Sequence, residues 1–360
     1  MNILIATNNV HIPQQYGGSE LSIEELVLSL QEYGHDVRVL ASLNNSGSVY
    51  YINRFKSYLS NKMFPFDKTR GYIVYRGWGH NKTVEHGIKE VLNCYTPDIF
   101  VIQGTNIMKL TDEVYDFGIP MMVSFVDVES SNLSKKPTPT KNIIYRANSK
   151  FTANKVHDKF GLKCCVISPI IRVEKYFTKT SRQHVTFVNP HPFKGCELVV
   201  KLARKNPKIP FVFQESWPLT ADYKRQLMEI LLTLPNVQYK KPTLDMKSLY
   251  ATTKLLLVPS MWEEAWGRVV NEAQVSGIPV IASNRGGLPE SVGNGGIIIP
   301  YDADFTEWDN NLNELWSNTE TYNFYSHKAF ERMNSGELSK STLIKKYFDS
   351  FDKLNCKITV

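Results

Sequence analysis

Residues 258–300 of the 360-residue chain read VPSMWEEAWGRVVNEAQVSGIPVIASNRGGLPESVGNGGIIIP. An apolar run ends at Pro259. A helical pattern then begins near Trp266 and Gly267 and continues to Gly277, a residue type that commonly follows a helix end. Pro279 introduces a second apolar run at 280–282. A strand, a helix and a second strand in this order predict a βαβ unit with parallel strands.

The same alternation of short apolar runs and longer amphipathic stretches extends in both directions from this segment. Further runs of strand length occupy residues 3–6, 37–40, 99–102, 121–126, 185–188, 211–213, 237–239, 255–258 and 296–299. Runs that are apolar throughout indicate strands covered on both faces, as in parallel sheets. The sequence therefore predicts an α/β protein with doubly wound parallel sheets.

Length and linker composition predict two Rossmann-like domains. At roughly 150 residues per domain, a chain of 360 residues is long enough for about two domains. Residues 168–181 carry proline, threonine, serine and charge without periodicity, which is typical of a linker. We expect domains at 1–175 and 176–340. The remaining segment, 341–360, places apolar residues at helical spacing and predicts a C-terminal helix.

Composition excludes several protein classes. The net charge of +7 favours contact with phosphates or an anionic surface, but without clustering it does not indicate a nucleic-acid partner. The five cysteines include no C-x-x-C pair and favour neither disulfides nor zinc, so we expect a cytoplasmic location. The opening MNILIA resembles a first strand, not a signal peptide, and no apolar run is long enough to span a bilayer. If the protein contacts a membrane, we expect it to bind the membrane surface and not to span the bilayer.

Two glutamates mark the candidate site. Glu264 lies between a strand end and a helix start, where open α/β sheets bind their ligands. The backbone N–H groups of Ala265, Trp266 and Gly267 are expected to point into the same crevice and suit a phosphate group. Glu272 follows two helical turns later, and its carboxylate can accept hydrogen bonds from two hydroxyls, as ribose recognition requires.

These residues belong to a longer pattern, P-S-x-x-x-E-x-W-G-x-x-x-x-E-A-x-x-x-G-x-P-V-x-A-S-x-x-G-G-x-x-E. The pattern resembles the donor-site signature of family 4 glycosyltransferases with the GT-B fold. The resemblance implies that Glu264 contacts the donor sugar and that Glu272 binds the ribose. Glu263 is a competing choice for the first position, but its spacing to Glu272 departs from the signature. The resemblance also implies two Rossmann-like domains that face each other across a cleft, with the C-terminal helix returning to the first domain.

Two loops support the resemblance. Gly17 and Gly18 follow the first strand and open a helix, where backbone can approach a pyrophosphate closely. After the first strand of the second half, Lys194 stands where the family carries a phosphate-binding lysine. The family usually has Gly-Arg a few residues earlier, whereas this chain has Asn189 and Pro190, so one cation is missing. We predict that Lys194 and Asn189 belong to the donor site.

Other candidate positions carry weaker signals. Asp127, with Glu129, follows a strand of the first half where many family members carry a histidine and an aspartate; it either faces the reacting sugar or caps a loop. Tyr239 and Lys241 lie in a loop that is expected to contact the nucleobase. The D-x-D sequence at 302–304 is explained more simply by acidic turn residues than by a metal site. We therefore expect no metal and no cofactor.

Residues 44–78 fit neither sheet pattern and are interpreted as an insertion, which is usually functional or mobile. The part from Tyr50 to Trp78 is basic and rich in tyrosine, and it lies in the half where the family binds its acceptor. Such residues can stack on sugars and attract lipid phosphate or an anionic membrane. A solvated loop with buried tyrosines is an equally good interpretation of the segment.

The resemblance implies a retaining glycosyltransferase that moves a hexose from a UDP- or GDP-linked sugar to a saccharide or glycolipid. A catalytically inactive sugar-binding relative is an alternative, because an expected arginine and histidine are absent. A nicotinamide-dependent oxidoreductase would need G-x-G-x-x-G after the first strand, where this chain has only Gly17 and Gly18. A GT-B epimerase or phosphorylase fits less well, given the spacing of the two glutamates and the lack of a pyridoxal-binding lysine motif.

Overall fold

The computed structural model describes residues 1–68, 70–78, 83–129 and 142–355. The chain divides into two compact units: Met1–Ile170 together with the C-terminal segment from Lys340, and Ile171–Ser339. The first division falls inside the predicted linker, 168–181. No helix in the described ranges is both long and apolar enough to cross a bilayer.

The N-terminal unit contains one eight-stranded sheet. Its strands are β1 (Asn2–Val10), β2 (Asp36–Ser42), β3 (Phe66–Asp67), β4 (Val74–Gly77), β5 (Ile99–Ile102), β6 (Met121–Phe125), β7 (Ile143–Ala147) and β8 (Cys164–Val166). Its first helices are α1 (Gly18–Glu32), α2 (Gly47–Ser60), α3 (Thr83–Leu92), α4 (Ile107–Tyr115) and α5 (Lys150–Phe160). The strand order is β3-β4-β2-β1-β5-β6-β7-β8, and every pair except β3 with β4 is parallel.

The C-terminal unit contains a six-stranded, wholly parallel sheet. Its strands are β9 (His184–Val188), β10 (Phe211–Gln214), β11 (Val237–Lys240), β12 (Thr253–Val258), β13 (Val280–Ser283) and β14 (Gly296–Ile299). Its helices are α6 (Val173–Tyr176), α7 (Cys196–Lys205), α8 (Ala221–Leu232), α9 (Met246–Tyr250), α10 (Arg268–Gln274), α11 (Leu288–Val292), α12 (Phe305–Ser317) and α13 (Thr319–Asn334). The order β11-β10-β9-β12-β13-β14 reverses direction between β9 and β12. Ligands of such sheets bind beyond the strand ends at this switch point.

The central strands of both sheets are buried on their two faces, which explains their apolar sequences. All four residues of β5 are buried, and alternate residues point into two separate apolar clusters. The final helix, α14 (Lys340–Asn355), contributes Leu343, Tyr347 and Phe351 to an apolar cluster that also contains residues of α1, β1 and β2. The α/β class, the two doubly wound units and the return of the last helix to the first unit are therefore as the sequence predicts.

The segment 44–78 differs from the predicted insertion, because it forms α2 and two strands of the sheet. Asp67 is buried beside the guanidinium of Arg76, whose Nε lies 2.5 Å from the Asp67 carboxylate. Asn53, on α2, donates a hydrogen bond of 3.1 Å to the same carboxylate. Nη2 of Arg76 donates to the carbonyl of Ile12 at 2.6 Å. This buried network attaches both α2 and the loop after β1 to the sheet edge.

Candidate functional site

Two loops meet at the switch point of the C-terminal sheet. Gly195 has a φ of +80°, and a Cβ at this position would lie 2.1 Å from the carbonyl oxygen of Pro259. The carbonyl of Phe193 accepts hydrogen bonds from the N–H groups of Met261 and Trp262, at 2.9 and 3.1 Å. The loop after β9 and the loop after β12 are therefore held together by backbone contacts that leave no space for a side chain at Gly195.

This junction brings together Lys194 and Glu264, which the sequence assigned to the donor site from separate motifs. The Lys194 ammonium lies 2.5 Å from Oε1 of Glu264. The two side chains are 12% and 16% exposed, so the pair is partly buried yet open to a ligand. The ammonium also lies 4.6 Å from the ring centroid of Trp217, a cation–π contact that no sequence pattern had indicated.

Glu263, the competing choice for the first glutamate, points elsewhere. Its carboxylate lies 4.0 Å from a guanidinium nitrogen of Arg285 and is 38% exposed. Arg285 also donates to the carbonyl of Met261 and stacks on the ring of Tyr301 at 4.5 Å. In this structure, therefore, Glu264 and not Glu263 is the glutamate beside Lys194.

Gly286 and Gly287 support the backbone of Glu264, although neither was among the site residues predicted from the sequence. The N–H of Gly287 donates to the Glu264 carbonyl at 2.6 Å. Gly286 has a φ of +61°, and a Cβ there would lie 2.2 Å from the Glu264 carbonyl oxygen and 2.6 Å from its nitrogen. The two glycines of the signature pattern were the available signal, since such a close approach of backbones admits only glycine.

Glu272 is 4% exposed and lies on the buried side of α10. Its Oε1 is 3.4 Å from Nε of Arg268, one helical turn earlier, and its Oε2 accepts a hydrogen bond of 3.4 Å from the hydroxyl of Tyr250. Burial, with the Glu272 charge adding to it, raises the pKa of Tyr250 well above its usual value, so this hydroxyl remains a donor. The four-residue spacing could have predicted the pair with Arg268.

The segment before α10 differs from the prediction in one respect. The helix begins at Arg268 and ends at Gln274, so it is shorter at both ends than the predicted span from Trp266 to Gly277. Gly267, with a φ of +89°, precedes the helix, because a left-handed residue cannot continue it. The indole of Trp266 is buried in the core and donates to Asn271 at 2.6 Å. Its side chain is therefore structural. Ala265, Trp266 and Gly267 thus precede the helix, so the N–H groups predicted to bind phosphate belong to a loop.

Asn189 shapes the turn after β9. Its φ is +64°, a conformation that asparagine tolerates better than most residues. Its N–H donates to the carbonyl of Gln214 at 2.8 Å, and its side-chain oxygen accepts from the N–H of Trp217 at 3.3 Å. Asn189 thus carries no charge to replace the missing arginine but positions the loop that holds Trp217 over Lys194.

The predicted base-contacting residues lie at the end of β11. The Tyr239 hydroxyl donates to Glu215 at 2.6 Å, and Lys224 donates to the same carboxylate oxygen at 2.8 Å. Burial works to raise the pKa of Glu215, but the bonds from Lys224 and Tyr239 lower it below its usual value. The carbonyl of Lys241 accepts from Gln214 at 2.6 Å. This loop is therefore ordered by polar contacts while the Lys241 residue itself is exposed.

In the N-terminal unit, Gly17 caps α1, and Gly18 is its first residue. A Cβ on Gly17 would lie 2.5 Å from the carboxylate of Glu20, which is buried and accepts a hydrogen bond of 3.2 Å from Asn9. Burial raises the pKa of Glu20. The amide of Gln103, after β5, donates to the carbonyl of Ser19 at 3.1 Å. The loop that carries the two glycines is thus attached to the neighbouring strand.

The remaining acidic candidates each make a local hydrogen bond. Asp127 accepts a hydrogen bond of 2.8 Å from the N–H of Glu129, and its charge raises the pKa of that carboxyl. Asp304 caps α12 by accepting from the N–H of Glu307 at 3.0 Å, in line with an acidic turn. Among residues 1–68, 70–78, 83–129 and 142–355, no group of three or more metal-binding side chains is found.

The comparison with protein families matches residues 178–332 to "Glycosyl transferases group 1". The chain is 36% identical over 86 residues to spore coat protein SA of Bacillus subtilis, covering 23% of this chain and 22% of that protein. It is 31% identical over 157 residues to D-inositol 3-phosphate glycosyltransferase of Corynebacterium glutamicum, covering 36% and 37%. The matched segments thus span well under half of these relatives.

Solved structures resemble the chain over almost its whole length. The Anabaena protein Alr3699/HepE, in complex with UDP-glucose, has a TM-score of 0.76 at 16% identity and covers 98% of this chain and 100% of its own. WaaG, a glycosyltransferase involved in lipopolysaccharide biosynthesis, has a TM-score of 0.65 at 12% identity and covers 95% and 98%. Residues 178–332 thus resemble group 1 glycosyl transferases, and the chain shares the fold of these solved structures, in agreement with the resemblance found in the sequence.

Proposed function

We propose that this chain is a retaining glycosyltransferase that transfers a hexose from a nucleotide diphosphate sugar to a saccharide or glycolipid acceptor, without a metal or cofactor. The observation that carries the proposal is the pairing of Lys194 with Glu264, 2.5 Å apart at the switch point of the C-terminal sheet. The signature pattern and the loop lysine predict a site from two separate stretches of sequence. The fold joins these two stretches where a nucleotide is expected to bind.

Lys194 is suited to stabilise the departing diphosphate. Glycosyl transfer passes through an oxocarbenium-like transition state while negative charge grows on the leaving group. An ammonium has three N–H donors, so Lys194 can keep its bond to Glu264 and still donate to phosphate oxygens. The Glu264 carboxylate in turn fixes the ammonium in position and leaves an oxygen for a hydroxyl of the sugar. We assign Lys194 to the phosphate and Glu264 to the donor hexose.

Glu272 is suited to bind the ribose. A carboxylate has about four acceptor sites on its two oxygens, enough to accept from both hydroxyls of a ribose. Arg268 lies against Oε1 and Tyr250 donates to Oε2, and these contacts hold the carboxylate in place. Because the carboxylate is buried, hydrogen bonds to it are stronger than they would be in water. The HepE structure contains UDP-glucose, and this supports UDP as the nucleotide of the donor sugar for this chain.

A screen of nucleotide sugars tests the proposal. A donor present at about 100 times its Kd stabilises the folded protein by about 2.7 kcal/mol, which raises the melting temperature measurably. We expect stabilisation by UDP-glucose or another UDP-hexose, slow hydrolysis of that sugar to UDP, and the same rates with EDTA present. NMR of the first hexose released or transferred is expected to show retained anomeric configuration. No stabilisation by any UDP- or GDP-sugar would contradict the proposal.

The screen also separates the inactive relative from the enzyme. That alternative is favoured by Asn189 and Pro190, which occupy the place of the usual Gly-Arg, so that the phosphate-binding arginine of the family is missing. An inactive sugar-binding protein would be stabilised by the nucleotide sugar but release no UDP over hours, with or without added glycan acceptors.

A further inference from the structure

A group of large apolar side chains on α2 is exposed to solvent. These side chains, which together form the α2 face, are Tyr51, Ile52, Phe55, Tyr58 and Leu59. Their exposures range from 51% for Ile52 to 85% for Tyr58. All fourteen residues of α2 lie in the described part of the chain, and among them only Asn53 is buried. The helix therefore turns its apolar side away from the protein.

The arrangement around the helix axis is regular. At about 100° per residue, the α2 face covers an arc of about 120°. Arg54 and Lys56 lie just beyond the two edges of this arc, and Asn53 lies on the opposite side of the helix. Because Asn53 is hydrogen-bonded to the buried carboxylate of Asp67, the network with Arg76 fixes the direction in which the α2 face points.

A helix of this length does not stand by itself in water. Isolated helices shorter than about 12–15 residues are marginal, and in proteins their stability comes mostly from packing an apolar face. On α2 that face is the exposed one. Met63 and Phe66, which follow the helix, are also exposed and extend the apolar surface. A surface of this kind marks a site of interaction with a protein or a membrane.

Charge identifies the class of partner. Helix α2 contains no acidic residue; Arg54 and Lys56 flank the α2 face, and Lys62 follows the helix. Of the nearby acids, Asp67 is paired with Arg76 inside the protein, and Glu90 accepts from the N–H groups of Met63 and Phe64. A second copy of the chain, docked face to face, would place these cations against one another, which is unfavourable. An anionic bilayer offers phosphates to the cations and acyl chains to the apolar side chains.

We propose that the α2 face binds an anionic membrane, with α2 lying in the headgroup layer parallel to the bilayer. The inference rests on the proposed function, since an enzyme with a lipid-linked acceptor meets that acceptor at the membrane surface. Binding has two parts. The cations contribute a salt-dependent attraction, and the α2 face contributes a salt-independent one through buried apolar area.

Co-sedimentation with vesicles tests the proposal. The full-length protein is mixed with vesicles of phosphatidylcholine alone or of phosphatidylcholine and phosphatidylglycerol in equal parts. We expect binding to the anionic vesicles only, weakening as salt is raised. The double variant Phe55→Gln with Leu59→Gln is expected to bind at least about tenfold more weakly, because two apolar anchors are lost. Glutamine keeps the helix propensity close to that of leucine.

The matched control is Leu232→Gln with Phe324→Gln, two exposed apolar residues on α8 and α13, which is expected to bind vesicles like the wild type. The proposal is overturned if the wild type fails to bind anionic vesicles at low salt, or if the Phe55 and Leu59 variant binds undiminished. It is also overturned if light scattering without lipid shows a dimer that this variant abolishes, since the partner is then a second copy.

Stabilisation by UDP-glucose, measured on the same samples, separates this inference from the proposed function. The α2 variant is expected to retain that stabilisation, because the candidate donor residues lie in other elements. Vesicle binding without any response to nucleotide sugars would support the membrane-binding α2 face and would contradict only the proposed glycosyltransferase activity.

Discussion

The ammonium of Lys194 and the carboxylate of Glu264 lie 2.5 Å apart although 70 residues separate them in sequence. One residue follows β9 and the other follows β12, strands that are distant in the chain but adjacent in the sheet. The ring of Trp217 covers the ammonium at 4.6 Å. The pair places a fixed positive charge next to a carboxylate at the C-terminal ends of these strands, where a phosphate is expected to bind.

Replacing Lys194 with alanine is expected to lower kcat about a hundredfold while changing the donor Kd by less than tenfold. The reason is that charge on the departing diphosphate grows in the transition state, so the ammonium contributes more there than in the ground state. Steady-state kinetics and calorimetry with UDP-glucose measure the two quantities. Lys201→Ala is the control, because Lys201 forms an exposed pair with Glu197 on α7. Equal loss of kcat in both variants, or none in Lys194→Ala, would remove Lys194 from the mechanism.

Replacing Gly286 with alanine is expected to abolish most activity while the protein stays folded. The new Cβ would collide with the backbone of Glu264, at 2.2 and 2.6 Å, and displace that residue from Lys194. Gly161→Ala is a matched control, because Gly161 has a similar φ of +69° but no atom within 4 Å of the added Cβ. Both variants are expected to lose about 1–2 kcal/mol of stability from the left-handed backbone. Comparable activity in the two variants would show that the support under Glu264 is dispensable.

Replacing Glu272 with glutamine is expected to raise the KM for the donor about tenfold or more. The substitution keeps the shape of the side chain but removes the charge that strengthens its hydrogen bonds to hydroxyls, worth about 1.5–3 kcal/mol each. Glu197→Gln is the control, since Glu197 also pairs with a cation four residues away but is exposed. Unfolding experiments on both variants show whether loss of the Arg268 pair affects stability. An unchanged donor KM in a folded Glu272→Gln protein would refute the ribose assignment.

Stability is expected to fall as the pH drops from about 6.5 to about 4, in part because of His184. Burial, with a contribution from the Lys240 charge, lowers the pKa of this histidine to about 4 in the folded protein. The unfolded chain then binds a proton that the folded chain rejects, so acid favours unfolding. The effect is on the order of 2 kcal/mol after allowance for solvent screening.

Urea unfolding at several pH values measures this dependence. His184→Gln is expected to flatten it between about pH 6.5 and pH 4, whereas His327→Gln, at an exposed position on α13, should leave it unchanged. A second buried histidine, His11, has its pKa lowered to about 3 by burial and by Arg76, and keeps part of the dependence in both variants. Parallel curves for wild type and His184→Gln would contradict the assignment.

Much of the fold could be predicted because most of the buried parallel strands are apolar throughout. The runs at 99–102 and 296–299 coincide with β5 and β14 residue for residue. Strand β7 was missed because Arg146 interrupts its apolar pattern. The guanidinium of Arg146 is buried and donates to Ser124 and to the carbonyl of Ile167, contacts that no local pattern indicates. Helix α2 was missed for a different reason. Its apolar side chains face outward, and its sequence was interpreted as an irregular insertion.

The candidate site was predictable in its parts but not in its contacts. The signature pattern gives Glu264 and Glu272, and a separate motif gives Lys194, yet only the strand order brings Lys194 to Glu264. The start of α10 was placed too early because Trp266 fits a helical pattern, whereas the left-handed Gly267 prevents a helix there. Trp217 carried no signal at all, because it lies in a loop whose position depends on Asn189.

A crystal structure of the protein with UDP bound tests the central claim most directly. We predict that both ribose hydroxyls lie within about 3.2 Å of the Glu272 carboxylate and that a diphosphate oxygen lies within the same distance of the Lys194 ammonium. A nucleotide bound elsewhere, with neither ribose hydroxyl in contact with Glu272, would contradict the assignment of this site.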